Sequence, residues 1–210
     1  MKLAVYGHGG SFNHGNEAIV RGLCKLFPEA EVKCYTFSAE VDKHFGLDEV
    51  CELRPMIHDV KSSYAFRAAK KLFRGSRCLQ EKYYREFFRP FIEEIDPETI
   101  YLLEAADQYC EWGPNRHWYE LLNKEIKAAG AKSVMMGCTI DPYVLDDKRV
   151  VEDIKRYSLV IARESITYNA LKEHIDENVY LAPCPAFAMN SEPADMPERV
   201  SKTIHGGGGS

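Results

Sequence analysis

Gly7-His8-Gly9-Gly10-Ser11-Phe12-Asn13-His14-Gly15-Asn16-Glu17 is the stretch around which the chain is organised. It follows an apolar run at residues 3–6, which predicts a strand, and precedes a predicted helix at about residues 18–27. This order places free backbone N–H groups at a helix N-terminus, where an anion can bind. Asn16 is the expected N-cap. The glycine spacing fits neither a dinucleotide-binding fingerprint nor a P-loop.

The bulk composition is that of an ordinary globular chain, with 45% hydrophobic and 28% charged residues among 210. A net charge of -5 at pH 7 provides no general basic field, so nucleic acid is not an expected partner. No run approaches the roughly 18 apolar residues that a membrane span requires. Seven cysteines without a C-x-x-C pair indicate reduced thiols in a cytoplasmic protein. We expect no metal site and no cofactor.

The end of the sequence suggests a domain boundary. Residues 206–210 have the composition of a flexible engineered linker, and residues 191–205 are polar and contain Pro193 and Pro197. We therefore expect one domain over residues 1–190, an interdomain linker remnant over 191–205 and a Gly-Ser linker scar over 206–210.

Strands and helices alternate along the predicted domain. Strands are predicted at residues 3–7, 31–37, 50–57, 99–103, 133–136, 159–162 and 179–181. Helices are predicted at residues 16–27, 39–45, 115–129, 146–157 and from 163 to about 174. Several strands are short continuous apolar runs, which are typical of a parallel sheet covered on both faces. The sequence therefore predicts an α/β fold with one doubly wound, mainly parallel sheet.

Residues 62–95 differ from the rest because basic and aromatic side chains alternate there at three- and four-residue spacing. The spacing predicts one or two amphipathic helices, split at Gly75-Ser76. We favour the interpretation that the aromatic rings pack on the sheet while Arg and Lys face water. A nucleic-acid or membrane-surface helix, or basic groups facing an anionic substrate, are the alternatives.

Polar clusters follow several of the predicted strands at their carboxyl ends, where ligands bind in open α/β sheets. We expect the following residues to converge on one edge and bind substrate: Gly10, Ser11, Asn13, His14, Gly15, Asn16, Gln108, Thr139, Asp141, Glu164 and Ser165. His8 and His14 also flank the first loop, but no third ligand at zinc spacing accompanies them. The pairs Ser11/His14 and Cys110/His117 are weak candidates for a nucleophile and its base.

With these residues assembled, the sequence resembles the polysaccharide pyruvyl transferase family. The resemblance rests on the stretches at residues 10–19, 107–110, 137–142, 156–168 and 178–187, in family order. It implies transfer of pyruvyl from phosphoenolpyruvate to a sugar of a cell-surface glycan, forming a pyruvate ketal. It also implies two Rossmann-like domains facing a cleft, as in GT-B glycosyltransferases. This chain would then be the N-terminal half, and the C-terminal domain would be missing.

Two positions depart from the family pattern. Ala105-Ala106 stands before Asp107-Gln108 where the family commonly has two glycines, and Asn16 stands where Asp is usual. Alanine at a glycine position would crowd a ligand or forbid a positive φ. We expect these departures to reduce activity, and because the C-terminal domain would also be missing, we expect this chain alone to be inactive.

Three residues are the candidates for catalysis. Arg163, at the end of a strand, would bind the phosphate or carboxylate of phosphoenolpyruvate; the alternative is an ion pair with Glu164 or with another acid at a helix start. Asp107 would accept protons from sugar hydroxyls, or would simply cap a turn. Glu17 would act as a base, or would only satisfy the helix dipole. Tyr109 and Trp112 would stack on a sugar or pack in the core.

Two hypotheses of different classes compete with the transferase. One is a non-catalytic binding or scaffold domain derived from that enzyme, which the Ala105-Ala106 turn favours. The other is a different GT-B-type sugar transferase.

Overall fold

The computed structural model describes residues 1–58, 77–104, 109–110 and 116–189. Within these residues, seven parallel strands form one sheet in the order β3-β2-β1-β4-β5-β6-β7. The strands are Lys2–His8 (β1), Glu31–Thr36 (β2), Glu52–Pro55 (β3), Thr99–Glu104 (β4), Lys132–Cys138 (β5), Leu159–Ala162 (β6) and Val179–Leu181 (β7). The order reverses between β1 and β4, which is where ligands bind in this type of sheet. The predicted doubly wound, Rossmann-like α/β fold is confirmed.

Helices connect the strands. The described α-helices are His14–Leu26 (α1), Ala39–His44 (α2), Arg77–Phe87 (α3), Arg89–Glu93 (α4), Arg116–Ala128 (α5), Lys148–Ile154 (α6) and Ser165–Lys172 (α7). Short 3-10 helices are Leu47–Glu49, Pro142–Asp146 and Pro185–Ala188. In the described part of the chain, none of the helices combines the length and the apolar composition that crossing a bilayer requires.

The start of α1 corrects one sequence prediction. The helix begins at His14, and its N-cap is Asn13 rather than Asn16. Asn13 has extended backbone angles, and its side chain accepts a hydrogen bond from the N–H of Gly15 at 3.0 Å. Gly15 and Asn16 therefore lie inside the first turn, because the first Asn able to cap determines where the helix begins.

The predicted helix at residues 146–157 is also corrected. The chain first forms the 3-10 helix Pro142–Asp146, and α6 then runs only from Lys148 to Ile154. Asp147 separates the two because its extended backbone and its side-chain bond to the N–H of Arg149 make it the N-cap of α6.

Both faces of the sheet contribute to the core. One face packs on α4 to α7 through buried residues that include Tyr6, Tyr101, Leu103, Met135 and Val160. The other packs on α1 through buried residues that include Leu3, Val5, Val20, Leu23 and Leu102. The alternation along β1 explains this division, since successive side chains of a strand point to opposite faces.

The basic and aromatic segment is described from residue 77 onward. Phe88 and Phe91 are buried, whereas Arg85 and Arg89 are exposed and pair with carboxylates. This confirms the packing interpretation for the described part. The helix breaks at Phe88, between α3 and α4. Residues 62–76, including the predicted break at Gly75-Ser76, lie outside the described residues, as does the predicted linker at 191–210.

The segment after β7 returns across the carboxyl edge of the sheet to α1. The N–H of Ala182 donates to the carbonyl oxygen of Ala162 at 3.1 Å, and Pro185 then meets Gly22 of α1. A Cβ at position 22 would lie 2.0 Å from the carbonyl oxygen of Pro185. Only glycine therefore permits this close approach.

Candidate functional site

Two of the strands bend just before the carboxyl edge. The register of β1 shifts between Val5 and His8, around Gly7 with φ 82°. The register of β5 shifts in the same way between Met136 and Cys138, around Gly137 with φ 65°. Both positions use the positive φ that glycine adopts without strain. Such bulges redirect the residues that follow, which here are the candidate site residues.

The loop after β1 is built on Asp42 of α2. The backbone N–H and the hydroxyl of Ser11 both donate to Oδ1 of Asp42, each at 2.7 Å. Gly10 and Ser11 are buried, whereas Asn13, His14 and Gly15 are exposed and Asn16 is half-buried. Ser11 therefore lies beneath the loop surface, with its hydroxyl bonded to protein, and the exposed members of the predicted set lie above it.

The loop has fewer free N–H groups than the sequence suggested. The N–H of Gly15 is bonded to the Asn13 side chain. The N–H groups of Asn16 and Glu17 donate to the backbone oxygen of Asn13 at 2.9 and 3.2 Å. The sequence predicted free N–H groups here that could bind an anion. The prediction is wrong for these three N–H groups, because each already donates to Asn13.

Glu17 is held by two partners. Its carboxylate accepts from Nε of Arg21 at 2.7 Å and lies 3.2 Å from Nδ1 of His14. Burial alone would raise the pKa of Glu17, but these hydrogen bonds outweigh burial and lower it. A lower pKa makes this carboxylate a weaker base than an isolated glutamate.

Aromatic rings surround the exposed side of this loop. Phe12 is 77% exposed and meets the ring of Phe45 edge-on, with the ring centroids 5.9 Å apart. The rings of His14 and His44 also meet Phe45 edge-on, at 5.4 and 5.3 Å. We call Phe12, His14, His44 and Phe45 the aromatic cluster. It places ring faces and imidazole nitrogens next to the loop.

Arg163 lies at the carboxyl ends of β5 and β6. Its Nε donates to the hydroxyl of Thr139 at 2.7 Å, which orients the guanidinium. In the part of the chain that the structure describes, no carboxylate forms an ion pair with Arg163. The alternative pairing with Glu164 is therefore not observed, and the Nη atoms of Arg163 have no carboxylate partner among these residues.

Glu164 instead caps α7. Its carboxylate accepts from the N–H of Ile166 at 2.7 Å and from the N–H of Thr167 at 3.0 Å. Burial alone would raise the pKa of Glu164, but the hydrogen bonds from Thr167 and Ile166 and the nearby charge of Arg163 outweigh it and lower the pKa. Ser165, in the first turn of α7, is exposed.

The loop after β5 is fixed to α7 by a buried threonine. The N–H of Ile140 donates to the hydroxyl of Thr167 at 2.9 Å. Ile140 lies between Thr139 and Asp141, so this bond positions both candidates. The half-buried Asp141 precedes the 3-10 helix as its cap residue, and its carboxylate accepts from the Tyr143 hydroxyl at 3.4 Å.

A buried network joins β1, β4 and α2 below the loop, and sequence reasoning missed it. Nδ1 of His8 lies 2.7 Å from Oε2 of Glu104, and Nε2 lies 3.2 Å from Oδ1 of Asp42. Thr36, at the end of β2, donates its hydroxyl to the other oxygen of Asp42. The sequence shows only that polar residues stand at the ends of the apolar strands. It could not show that His8, Asp42 and Glu104 meet, because they are far apart in the sequence.

The pKa values of the network follow from these contacts. Burial alone would lower the pKa of His8, but Glu104 and Asp42 outweigh it and raise the pKa. Burial raises the pKa of Glu104 despite the His8 contact. Burial alone would also raise the pKa of Asp42, but the hydrogen bonds from Thr36 and Ser11 and the charge of His8 lower it.

Several predicted residues lie elsewhere. Asp107, Gln108, Ala105-Ala106 and Trp112 lie outside the described residues. Tyr109 is a core residue: it stacks on Tyr119, and its hydroxyl donates to Asp153 at 2.7 Å. Among the described side chains, no group of three or more His, Cys, Asp or Glu residues is arranged to hold a metal.

The family model described as "Polysaccharide pyruvyl transferase" matches residues 13–207, nearly the whole chain. No curated protein sequence matches the chain.

Proposed function

Because this chain belongs to the polysaccharide pyruvyl transferase family, we propose that its carboxyl edge handles phosphoenolpyruvate and a glycan sugar. The proposed reaction transfers the pyruvyl carbons to two hydroxyls of the sugar and releases phosphate. Both sugar oxygens become bonded to C2 of the donor, and one hydroxyl proton ends on C3, which becomes a methyl group. The other proton leaves with the phosphate.

The observation that supports the donor site best is the geometry of Arg163. Thr139 holds Nε of the guanidinium, and among the described residues no carboxylate forms an ion pair with the group, although its charge contributes to the lowered pKa of Glu164. A guanidinium oriented in this way binds a carboxylate or a phosphate with two parallel hydrogen bonds. Phosphoenolpyruvate has both groups. We therefore assign Arg163 to donor binding, with Thr139 as the residue that orients it.

The order of the strands leaves room for a second ligand. β1 and β6 are three strand spacings apart, or about 14 Å. A donor at Arg163 and a sugar at the loop after β1 would therefore be neighbours. The exposed Asn13, the half-buried Asn16 and the ring of Phe12 supply hydrogen-bonding groups and an apolar surface, which suits a sugar ring. We assign the acceptor to this loop and the aromatic cluster.

We assign the proton transfers to the carboxylates that the sequence predicts for the site. Asp107 is our candidate base for a sugar hydroxyl, assisted by Gln108 as a binding residue. Asp141 would accept hydrogen bonds from the sugar. Glu17 is the weaker candidate because its carboxylate is paired with Arg21. The site would contribute mainly by orienting the reactants and stabilising anionic charge.

The setting of this chemistry is also part of the proposal. Cys24, Cys34, Cys51, Cys110, Cys138 and Cys184 are not in disulfides. Reduced thiols support a reducing compartment such as the cytoplasm. We further propose that a second, GT-B-like domain completes the cleft, so that this chain binds donor without turning it over.

Calorimetric titration with phosphoenolpyruvate tests the donor site. Arg163→Ala should weaken binding about ten- to hundredfold, the effect of losing hydrogen bonds to a charged group. Arg163→Lys should have an intermediate effect, because lysine keeps the positive charge but cannot donate two parallel hydrogen bonds as a guanidinium does. Arg149→Ala is the matched control, since Arg149 is an exposed arginine paired with Asp147. Equal binding by the wild type and Arg163→Ala would contradict the assignment.

A further inference from the structure

His8 is enclosed by two carboxylates, one on each side of its ring. Oε2 of Glu104 lies 2.7 Å from Nδ1, and Oδ1 of Asp42 lies 3.2 Å from Nε2. All three side chains are buried. Both ring nitrogens thus face acceptors, although neutral imidazole has only one N–H to donate.

Asp42 fixes where one of the ring protons lies. Its carboxylate also accepts from the N–H and the hydroxyl of Ser11 and from the hydroxyl of Thr36. A carboxylate with this many donors is ionised. Nε2 of His8 must therefore be the donor toward Asp42, and the nitrogen that faces Glu104 is Nδ1.

The contact between His8 and Glu104 then requires one more proton. That proton resides either on Nδ1, as imidazolium with glutamate, or on Oε2, as neutral imidazole with glutamic acid. Without it, the lone pair of Nδ1 would face a carboxylate oxygen at 2.7 Å, which is repulsive. Oε1 of Glu104 is buried and has no hydrogen-bond partner among the described residues, so it offers no alternative link.

We propose that His8 is a positioning residue, and that the proton it shares with Glu104 locks the loop after β1 into its binding shape. We call the hydrogen-bonded group of Glu104, His8 and Asp42 the lock. It joins β1 to β4 directly and is linked to Ser11 through Asp42. Its effect on ligand binding rests on the proposed function, but the lock itself does not. When the shared proton is lost, the end of β1 and the Ser11 contact loosen together.

The groups that face this lock are few in the described part of the chain. Glu104 comes from β4 and Asp42 from α2, and the buried thiol of Cys34 on β2 lies near both carboxylates. A hydrogen bond from Cys51 lowers the pKa of Cys34, but burial and the two carboxylates outweigh it and raise the pKa, so the thiol stays neutral. Since the pKa values of His8 and Glu104 are both raised, the lock is complete below these pKa values while Asp42 is ionised, and it is lost as pH rises above them.

Amide hydrogen exchange at Ser11 tests the lock, because its N–H donates to Asp42. After correction for intrinsic exchange, wild-type protection should fall about ten- to hundredfold as pH rises from about 6 to about 9. In Glu104→Gln, the amide donates to neutral Nδ1 without the extra proton. Protection in this variant should therefore stay constant with pH. His174→Gln, a change at an exposed histidine, should behave as wild type.

Protection that does not change with pH in the wild type would overturn the proposal, and so would an equal fall in Glu104→Gln. His8→Phe should show low protection at both pH values; if it does not fold, Glu104→Gln still decides. Titration with phosphoenolpyruvate at the same pH values separates the two claims. No binding of phosphoenolpyruvate at any pH would overturn the proposed function. The pH dependence of the Ser11 amide protection would still test the lock.

Discussion

Replacing Gly22 with alanine tests how the segment after β7 docks on α1. In the interior of a helix, alanine is normally more stable than glycine by about 1 kcal/mol. Here the new Cβ would lie 2.0 Å from the oxygen and 2.6 Å from the carbon of the Pro185 carbonyl. These atoms belong to the backbone, so relief requires the segment to move by more than about 1 Å toward ordinary contact distance.

The expected sign is therefore the reverse of the usual one. Overpacking costs about 1–3 kcal/mol, and a contact this short against backbone lies at the upper end of that range. Subtracting the helix-propensity gain leaves a fall of about 2 kcal/mol in the free energy of unfolding. Urea unfolding measures this value.

Ala18→Gly, in the same helix, is the control that measures the effect of helix propensity alone. It should lower the free energy of unfolding by about 1 kcal/mol. If Gly22→Ala instead stabilised the protein, the segment after β7 would not pack on α1 as described.

Three further predictions, tested by urea unfolding, concern the residues that support the site. Thr167→Val should lower the free energy of unfolding by about 1–3 kcal/mol, because the N–H of Ile140 loses its partner; unchanged stability would show that the bond is dispensable. Asn13→Ala should cost about 1 kcal/mol and Asn16→Ala less, and the opposite ranking would return the cap to Asn16. Asp42, whose pKa is lowered, stabilises the fold above its unfolded pKa of about 3.9, and this stability is lost as pH falls through the folded pKa. In Asp42→Asn, the free energy of unfolding should therefore depend less on pH between about pH 2 and pH 5 than in the wild type. The same pH dependence in both proteins would refute this role of Asp42.

Local patterns predicted the sheet well. β6 and β7 coincide with their predicted bounds, and each is a short apolar run that begins directly after a polar residue. The polar residues after β5 and β6 do meet, and Thr139 and Arg163 are hydrogen-bonded. Parallel strands determine this outcome, since their carboxyl ends share one edge.

Contacts between distant residues could not be predicted in this way. His8 is 34 residues from Asp42 and 96 residues from Glu104, so no spacing rule relates them. The approach of Pro185 to Gly22 also depends on how the chain crosses the sheet. The predicted start of α1 was wrong for a local reason. Both Asn13 and Asn16 are residues that cap helices well, and the sequence does not show which of them does so.

The donor site at the carboxyl edge is tested most directly by an amide chemical-shift titration of the chain with phosphoenolpyruvate, with inorganic phosphate as the comparison. We expect the largest shifts around Thr139 and Arg163, and larger shifts with phosphoenolpyruvate than with phosphate, because phosphoenolpyruvate also carries a carboxylate. Residues of the amino-edge groove, which is lined by Lys155, Asp176 and Asn178, should not respond. Shifts concentrated in that groove, or none at any concentration, would contradict a donor site at the carboxyl edge.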